Sequence, residues 1–253
     1  MSPLLRVILL LTAFISQARA DDALTLYKAG KYSQAIAAAS AQNTASGFAL
    51  AARAALAESM MQAPCLACLK RAEAFAREAV IGDPGLAEAH VYLAVSLGYQ
   101  ARIVGVVRAR LGSYPEEAKR HLDAALVTDP ASAQALAALG GWNIEIVRGG
   151  GIVLAKWLYG ASLRTGQDDF AAAFRSAPDN PVIRYQYALS LGGFSLATYR
   201  AEITDALSRA VGGEGVTAYD AFAQSRAREL LTVLKKNDDA AFDRLVRRDQ
   251  GYP

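Results

Sequence analysis

The sequence contains few of the residues that build metal, redox and nucleophilic sites. Only two histidines and two cysteines occur in 253 residues. A metal site at the cysteines would need two more ligands, and no spacing brings His90 or His121 to them. We find no nucleophile elbow, no His-Glu-x-x-His, no phosphate loop and no supported acid–base pair. The sequence therefore predicts a protein that is not an enzyme and that uses no metal or cofactor.

The sequence also lacks a strong excess of charge of either sign. It has 27 Lys and Arg against 24 Asp and Glu, and two of the basic residues, Arg6 and Arg19, fall in the first 20 positions. Proteins that bind nucleic acid usually carry a basic surface. The balance of charge therefore gives no support for nucleic acid as a partner.

Long apolar runs are missing apart from one at the start of the chain. Arg6 precedes the run Val7–Ile15, and Ala18-Arg19-Ala20 places small residues at both cleavage subsites. This pattern predicts a secretory signal peptide over residues 1–20, since the run is short for a membrane span. An uncleaved anchor is the alternative. We expect a secreted protein, preferably in a bacterial periplasm, with no stable membrane span after cleavage.

Segments that alternate Val, Ile and Thr, as strands do, are missing as well. Ala, Leu, Glu, Lys and Arg dominate instead, which favours helices throughout. We therefore predict an all-α protein in which residues 21–253 form one elongated domain.

Three predicted helices share one spacing of small and apolar residues before a proline. Small or apolar residues stand twelve, eight and five positions before Pro84, Pro130 and Pro178. They are Ala72, Ala76 and Ala79; Ala118, Leu122 and Ala125; and Gly166, Phe170 and Ala173. Each proline is followed by a helix with a large–small pair, at Leu93-Ala94, Leu139-Gly140 and Tyr187-Ala188. Small residues at these positions let antiparallel helices approach closely.

This spacing resembles that of the tetratricopeptide repeat. The resemblance implies a right-handed α-solenoid of helix pairs, ended by C-terminal capping helices, that acts as a binding scaffold. The prolines are 46 and 48 residues apart, against about 34 in the family. The extra residues fall within the pairs, at Ala101–Gly112 and Val147–Gly160. The second insert, with Trp142 before it, is similar to the regulator-of-microtubule-dynamics branch, whose cytoskeletal role does not agree with secretion.

The periodicity predicts where most helices begin and end. A single long helix is expected over Leu86–Arg110, and a helix ending at Val147 is expected before Gly149-Gly150-Gly151. Within the first of these, Arg102 and Arg110 share a face, which suits either an anionic partner or a solvated surface. His90 takes the place of a bulky packing residue, so we expect it between helices. The other expected helices are Gly47–Met61, Leu66–Ile81, Tyr114–Thr128, Asp168–Ser176, Val182–Leu191, Thr198–Val211, Thr217–Lys236 and Asp239–Arg248.

Cys65 and Cys68 lie at a predicted helix start. In an oxidising compartment, an even count at this separation predicts a disulfide. A redox motif of the Pro-Cys-x-x-Cys type, inert thiols and part of a metal site are the alternatives.

Two functions fit these features. The first is a non-catalytic scaffold or adaptor that binds a peptide or partner helix on its concave face. Its exposed concave positions would be Glu88, Val91, Val95, Tyr99, Gln134, Glu145 and Tyr185. The second is a carrier of a small ligand or lipid, with a pocket closed by the aromatic insert 147–160. Its pocket residues would be Trp142, Arg148, Trp157 and Tyr159, unless the insert only packs against the solenoid.

Overall fold

The computed structural model describes residues 22–63 and 65–252, so the signal peptide predicted for residues 1–20 lies outside the described part of the chain. The described residues form helices joined by short turns, with no strand among them, and the all-α prediction is confirmed. The helices are α1 (residues 22–28), α2 (Tyr32–Ser40), α3 (Ala45–Gln62), α4 (Leu66–Gly82), α5 (Ala87–Val104), α6 (Val106–Leu111), α7 (Tyr114–Thr128), α8 (Ala133–Tyr159), α9 (Leu163–Ser176), α10 (Pro181–Gly212), α11 (Ala218–Lys235) and α12 (Asp239–Asp249).

Local sequence explains most helix starts. Side-chain oxygens of Thr44, Ser132, Ser162, Asn180 and Asp238 accept a hydrogen bond from a backbone N–H in the first turn of the helix that follows. These bonds satisfy donors that a helix start leaves free. At α11 the cap is reciprocal, because Asp220 also accepts from the backbone of Thr217.

The repeated register describes buried contacts. All nine register residues, on α4, α7 and α9, are buried. A close backbone approach joins α8 and α9. A Cβ placed on Gly140 would lie 2.8 Å from the carbonyl oxygen of Gly166, and one on Gly166 would lie 2.8 Å from that of Gly140. The small residues therefore serve close helix packing, as their spacing predicts.

One helix break was not predicted, and another lies later in the chain than predicted. The expected helix Leu86–Arg110 is divided at Gly105, whose φ of +82° lies outside the helical region. In contrast, α8 passes through Gly149 and Gly150 and leaves helical geometry only at Gly151, with φ +75°. A glycine inside a helix costs only about 1 kcal/mol, so composition alone does not say which glycine ends one.

The two helices expected over Val182–Leu191 and Thr198–Val211 form the single element α10. Its backbone leaves helical geometry at Ser195 and Tyr199, close to the expected break. The prediction of two helical segments that meet at a break is therefore confirmed, and α10 counts the two segments as one element.

The elongated shape expected from the sequence is wrong, because the two ends of the helical array contact each other. A Cβ on Gly30, in the turn before α2, would lie 2.8 Å from the Cβ of Ala218 at the start of α11. Tyr219 packs against the buried cluster of the first helices. The C-terminal helices cover α10, where Tyr185 donates to Asp249 at 2.7 Å. The array thus curves back on itself around a central space.

Candidate functional site

The central space is a cavity of about 430 Å³. Its walls come from α1, α3, α5, α6, α7, α8 and α10, together with the start of α11 and Tyr252 near the C-terminus. Most lining side chains are apolar, among them Leu56, Met60, Val95, Leu122, Leu158 and Ile183. This volume and this lining are typical of pockets that hold small ligands.

Two aromatic residues of α8 form part of the wall. The rings of Trp142 and Tyr159 meet edge to face with centroids 6.1 Å apart. The indole Nε1 of Trp142 donates to the Pro115 carbonyl at 3.0 Å, which fixes the ring against α7. Partial burial, and the hydrogen bond with Glu116, raise the pKa of the Tyr159 hydroxyl. Both aromatic rings are therefore held in place before any ligand arrives.

Arg53 supplies a cation to the cavity wall. Its guanidinium lies 4.4 Å from the centroid of the Tyr27 ring, and no carboxylate of the described chain lies within 4 Å of it. Burial opposes its charge, but Tyr92, Tyr27 and Glu88 more than offset this and raise its pKa. Arg53 is therefore a charged donor without a close carboxylate partner.

A second polar group lies where α5 and α8 meet the C-terminal residues. Arg102 donates to the Gln250 carbonyl at 3.1 Å and lies 3.9 Å from a Glu145 oxygen, while its Nε has no hydrogen-bond partner among the described residues. Arg148 donates to Glu145 at 2.6 Å, and Tyr252 hydrogen-bonds to both. Burial alone would raise the pKa of Glu145, but Arg102 and Arg148 lower it. The carboxylate therefore stays ionised.

The cavity brings together most of the positions that the sequence placed on a concave face. Val91, Val95, Tyr99, Gln134 and Glu145 line it, whereas Glu88 and Tyr185 do not. The exposure predicted for three of these positions is wrong. Val91, Tyr99 and Tyr185 are buried, because the curved array and its C-terminal helices cover this face.

The four predicted pocket residues separate into two groups. Trp142 and Tyr159 line the cavity, but Arg148 does not, and it donates a hydrogen bond to the lining residue Glu145. Trp157 does not line it, and this side chain is 80% exposed. The reason is helical geometry: Ala155 and Leu158 take the inner face of the segment 152–159, and a residue two positions from Ala155 points away. The insert thus has one face toward the cavity and one toward solvent.

Several lining residues gave no recognisable signal in the sequence. Arg53, Met60, Gln186 and Ser190 belong to α3 and α10, which are distant in the chain from the insert. Their positions on the wall follow from the closure of the helical array. The residue pattern of a single helix does not predict how the array closes.

The cysteines lie outside this cavity. Cys65 and Cys68 form a disulfide, which confirms the prediction, and Cys65 Sγ accepts from the Cys68 N–H at the start of α4. In residues 22–63 and 65–252, no group of three or more His, Cys, Asp or Glu side chains is arranged to hold a metal ion.

A scan against protein-family models and a search of curated proteins find no match to this chain. Within the described helices, none combines the length and the apolar content that crossing a membrane requires.

Proposed function

We propose that the protein is a non-catalytic carrier of an amphipathic small molecule, such as a lipid, which it holds in the central cavity. The observation that carries the proposal is the cavity itself, with about 430 Å³ lined mainly by apolar side chains. Burying the apolar part of a ligand there would supply the binding free energy.

The charges of the wall favour a ligand with an anionic group. The charged lining residues are Arg53, Arg102, Arg110, Glu145 and Asp220, three cations against two anions. Arg102 is already engaged with Glu145 and Gln250. Arg53 and Arg110 have no carboxylate within 4 Å in the described chain, but Arg110 is exposed whereas Arg53 is half-buried. Arg53 is therefore the anchor we assign to a carboxylate or phosphate of the ligand.

A scaffold that binds a peptide or partner helix is the second candidate. Gln134 and Val95 support it, because both line the cavity and neither is buried. A helix is about 10 Å across with its side chains, and it would need an open groove. The contact between Gly30 and Ala218 narrows that groove, which favours the smaller ligand.

We also propose that the chain is a tetratricopeptide-like, right-handed solenoid that works in the periplasm.

Gly98 provides a direct test. It lines the cavity, and a Cβ placed on it would meet nothing within 4 Å, so a large side chain there enters open space. We expect the wild-type protein to bind a fluorescent fatty acid and the variant Gly98→Trp to bind it at least about tenfold more weakly, because the volume is filled.

The matched control is Val127→Trp, which adds the same ring to an exposed position that does not line the cavity. This variant should bind the probe as the wild type does. Equal binding by all three proteins, with Gly98→Trp still folded by circular dichroism, would refute the carrier function.

A further inference from the structure

The exposed apolar residues of this protein are concentrated in two short segments beside the cavity. We call helix α6 and residues 152–159 of α8 the apolar rim. Of the ten large hydrophobic side chains that are exposed in the described chain, seven belong to the rim. They are Val106, Val107, Leu111, Ile152, Val153, Leu154 and Trp157. Single exposed hydrophobic residues are ordinary, but a cluster of this kind indicates an interaction surface.

The two segments of the rim are neighbours in space. A Cβ on Gly149, just before the second segment, would lie 3.8 Å from Cγ2 of Val106 in the first. Arg110 of the first segment also lies close enough to Tyr159 of the second for its charge to offset part of the rise in pKa that burial causes at the Tyr159 hydroxyl. Each segment follows a glycine with positive φ, Gly105 at +82° and Gly151 at +75°. Each is therefore set at an angle to the long helix that precedes it.

The rim also forms the edge of the cavity. Val106 and Leu154 line the cavity, yet they are 62% and 51% exposed. They must therefore lie where the cavity opens to solvent. The inner faces of the same segments, at Ala109 and Leu158, continue the wall inward.

The charge of the rim identifies the kind of partner. Arg108, Arg110 and Lys156 are exposed, and none of the three has a carboxylate within 4 Å in the described chain. The two segments contain no acidic residue. Glu116, a carboxylate on the adjoining helix, hydrogen-bonds to Tyr159. A surface that combines exposed Leu, Ile, Val and Trp with unpaired Arg and Lys is complementary to an anionic lipid surface.

We propose that the apolar rim docks on the surface of a bilayer that contains anionic phospholipids, which places the cavity opening against the membrane. The apolar side chains would enter the boundary between headgroups and acyl chains, and Trp157 would lie at headgroup depth. Arg108, Arg110 and Lys156 would contact lipid phosphates. Docking would use the outer face of the rim, so it does not depend on whether the cavity holds a ligand.

Flotation with lipid vesicles tests the proposal. We expect the protein to float with vesicles that contain phosphatidylglycerol and not to stay in the unbound fraction. It should bind phosphatidylcholine vesicles at least about tenfold more weakly. Leu111→Ser/Trp157→Ser should lose binding to anionic vesicles about tenfold or more, because both side chains are over three-quarters exposed and leave the core unchanged. Val127→Ser, with the same exposure outside the rim, should bind as the wild type does.

Two further measurements separate docking from its alternatives. The tryptophan fluorescence of the wild-type protein should shift to shorter wavelength when anionic vesicles are added. The shift should be absent from Trp157→Phe, since the remaining tryptophan, Trp142, lies in the cavity wall. Gly98→Trp, which fills the cavity, should still float, so a failed carrier function does not affect this result.

Three results would overturn the proposal. The first is no vesicle binding by the wild type. The second is equal binding by Leu111→Ser/Trp157→Ser. The third is a solution dimer that Leu111→Ser/Trp157→Ser converts to monomer, which would assign the rim to a second copy of the chain.

Discussion

Nδ1 of His90 lies 2.8 Å from Nδ1 of His121, across the contact between α5 and α7. His90 Nε2 is 2.9 Å from the Pro84 carbonyl, which can only accept, so this nitrogen carries the proton. His90 Nδ1 is then the acceptor and His121 Nδ1–H the donor. The expectation that His90 packs between helices is confirmed, and the pair links the turn at Pro84 to α7.

This pair should make the folded state sensitive to acid. Burial, followed by the charges of His90 and Arg120, lowers the pKa of His121 from 6.5 to about 4. The unfolded chain therefore binds a proton between these two pH values that the folded chain does not. The stabilisation is complete above pH 6.5 and is lost as the pH falls toward 4. Urea unfolding should show a loss of about 2 kcal/mol between pH 7 and pH 5 from this residue.

Two variants isolate that effect. His121→Asn keeps a donor toward His90 and cannot be protonated, so its stability should lack this decrease. Asp169 acts in the opposite direction, because burial raises its pKa from 3.8 to about 6, and it favours the folded state as it gains a proton. Asp169→Asn should therefore lose more stability on acidification than the wild type does. A decrease in His121→Asn as large as in the wild type would disprove the assignment.

The contact between α8 and α9 should not accept one added methyl group. In Gly140→Ala the new Cβ would lie 2.7 Å from Cδ2 of Phe170 and 2.8 Å from the Gly166 carbonyl. We expect a loss of about 2 kcal/mol or more in the free energy of unfolding, measured by urea denaturation.

Gly150→Ala is the matched control for this substitution. It lies in the same helix, and its Cβ would meet nothing within 4 Å. It should stabilise the protein by about 1 kcal/mol, since alanine favours a helix over glycine. A stable Gly140→Ala variant would show that the two helices are farther apart than described.

The disulfide should stabilise the protein modestly. Cys65 and Cys68 are separated by 3 positions, so their bond removes little entropy from the unfolded chain, about 2 kcal/mol in the chain-entropy account. Because Cys65 Sγ also caps α4, Cys65→Ser/Cys68→Ser should retain a cap. Cys65→Ala/Cys68→Ala should be less stable than the serine pair by about 1 kcal/mol in thermal unfolding. Equal stability of the two double variants would show that the side chain at position 65 does not stabilise the start of α4.

Arg53 should distinguish ligands by charge. Arg53→Gln should weaken binding of a fluorescent fatty acid about tenfold, because a charge-assisted hydrogen bond is lost. Binding of the corresponding methyl ester should hardly change, since the apolar wall is intact. Isothermal titration with the two probes measures this difference, and equal losses for both would show that Arg53 only supports the wall.

The sequence predicted the local features of this fold better than the distant ones. Helix α7 begins and ends where expected, because Pro115 and Pro130 restrict the chain at both ends. Gly105 was missed as a break, because one glycine in an otherwise helical pattern is compatible with either state. The contact of Gly30 with Ala218 joins residues that no periodicity relates.

The candidate site was predictable only where it lies on the repeated helices. Val95 and Trp142 followed from their helix positions, and both line the cavity. Arg53 could not be identified, since its role depends on the curvature of the whole array. An empty volume is a result of packing between distant elements, and residue periodicity does not describe it.

Native mass spectrometry of the protein, purified without detergent, tests the carrier function most directly. We expect the wild-type protein to carry a noncovalent small molecule, which solvent extraction releases and which Gly98→Trp does not retain. Val127→Trp should retain it. A wild-type protein free of any small molecule, which also fails to take up an added fatty acid, would contradict the carrier function.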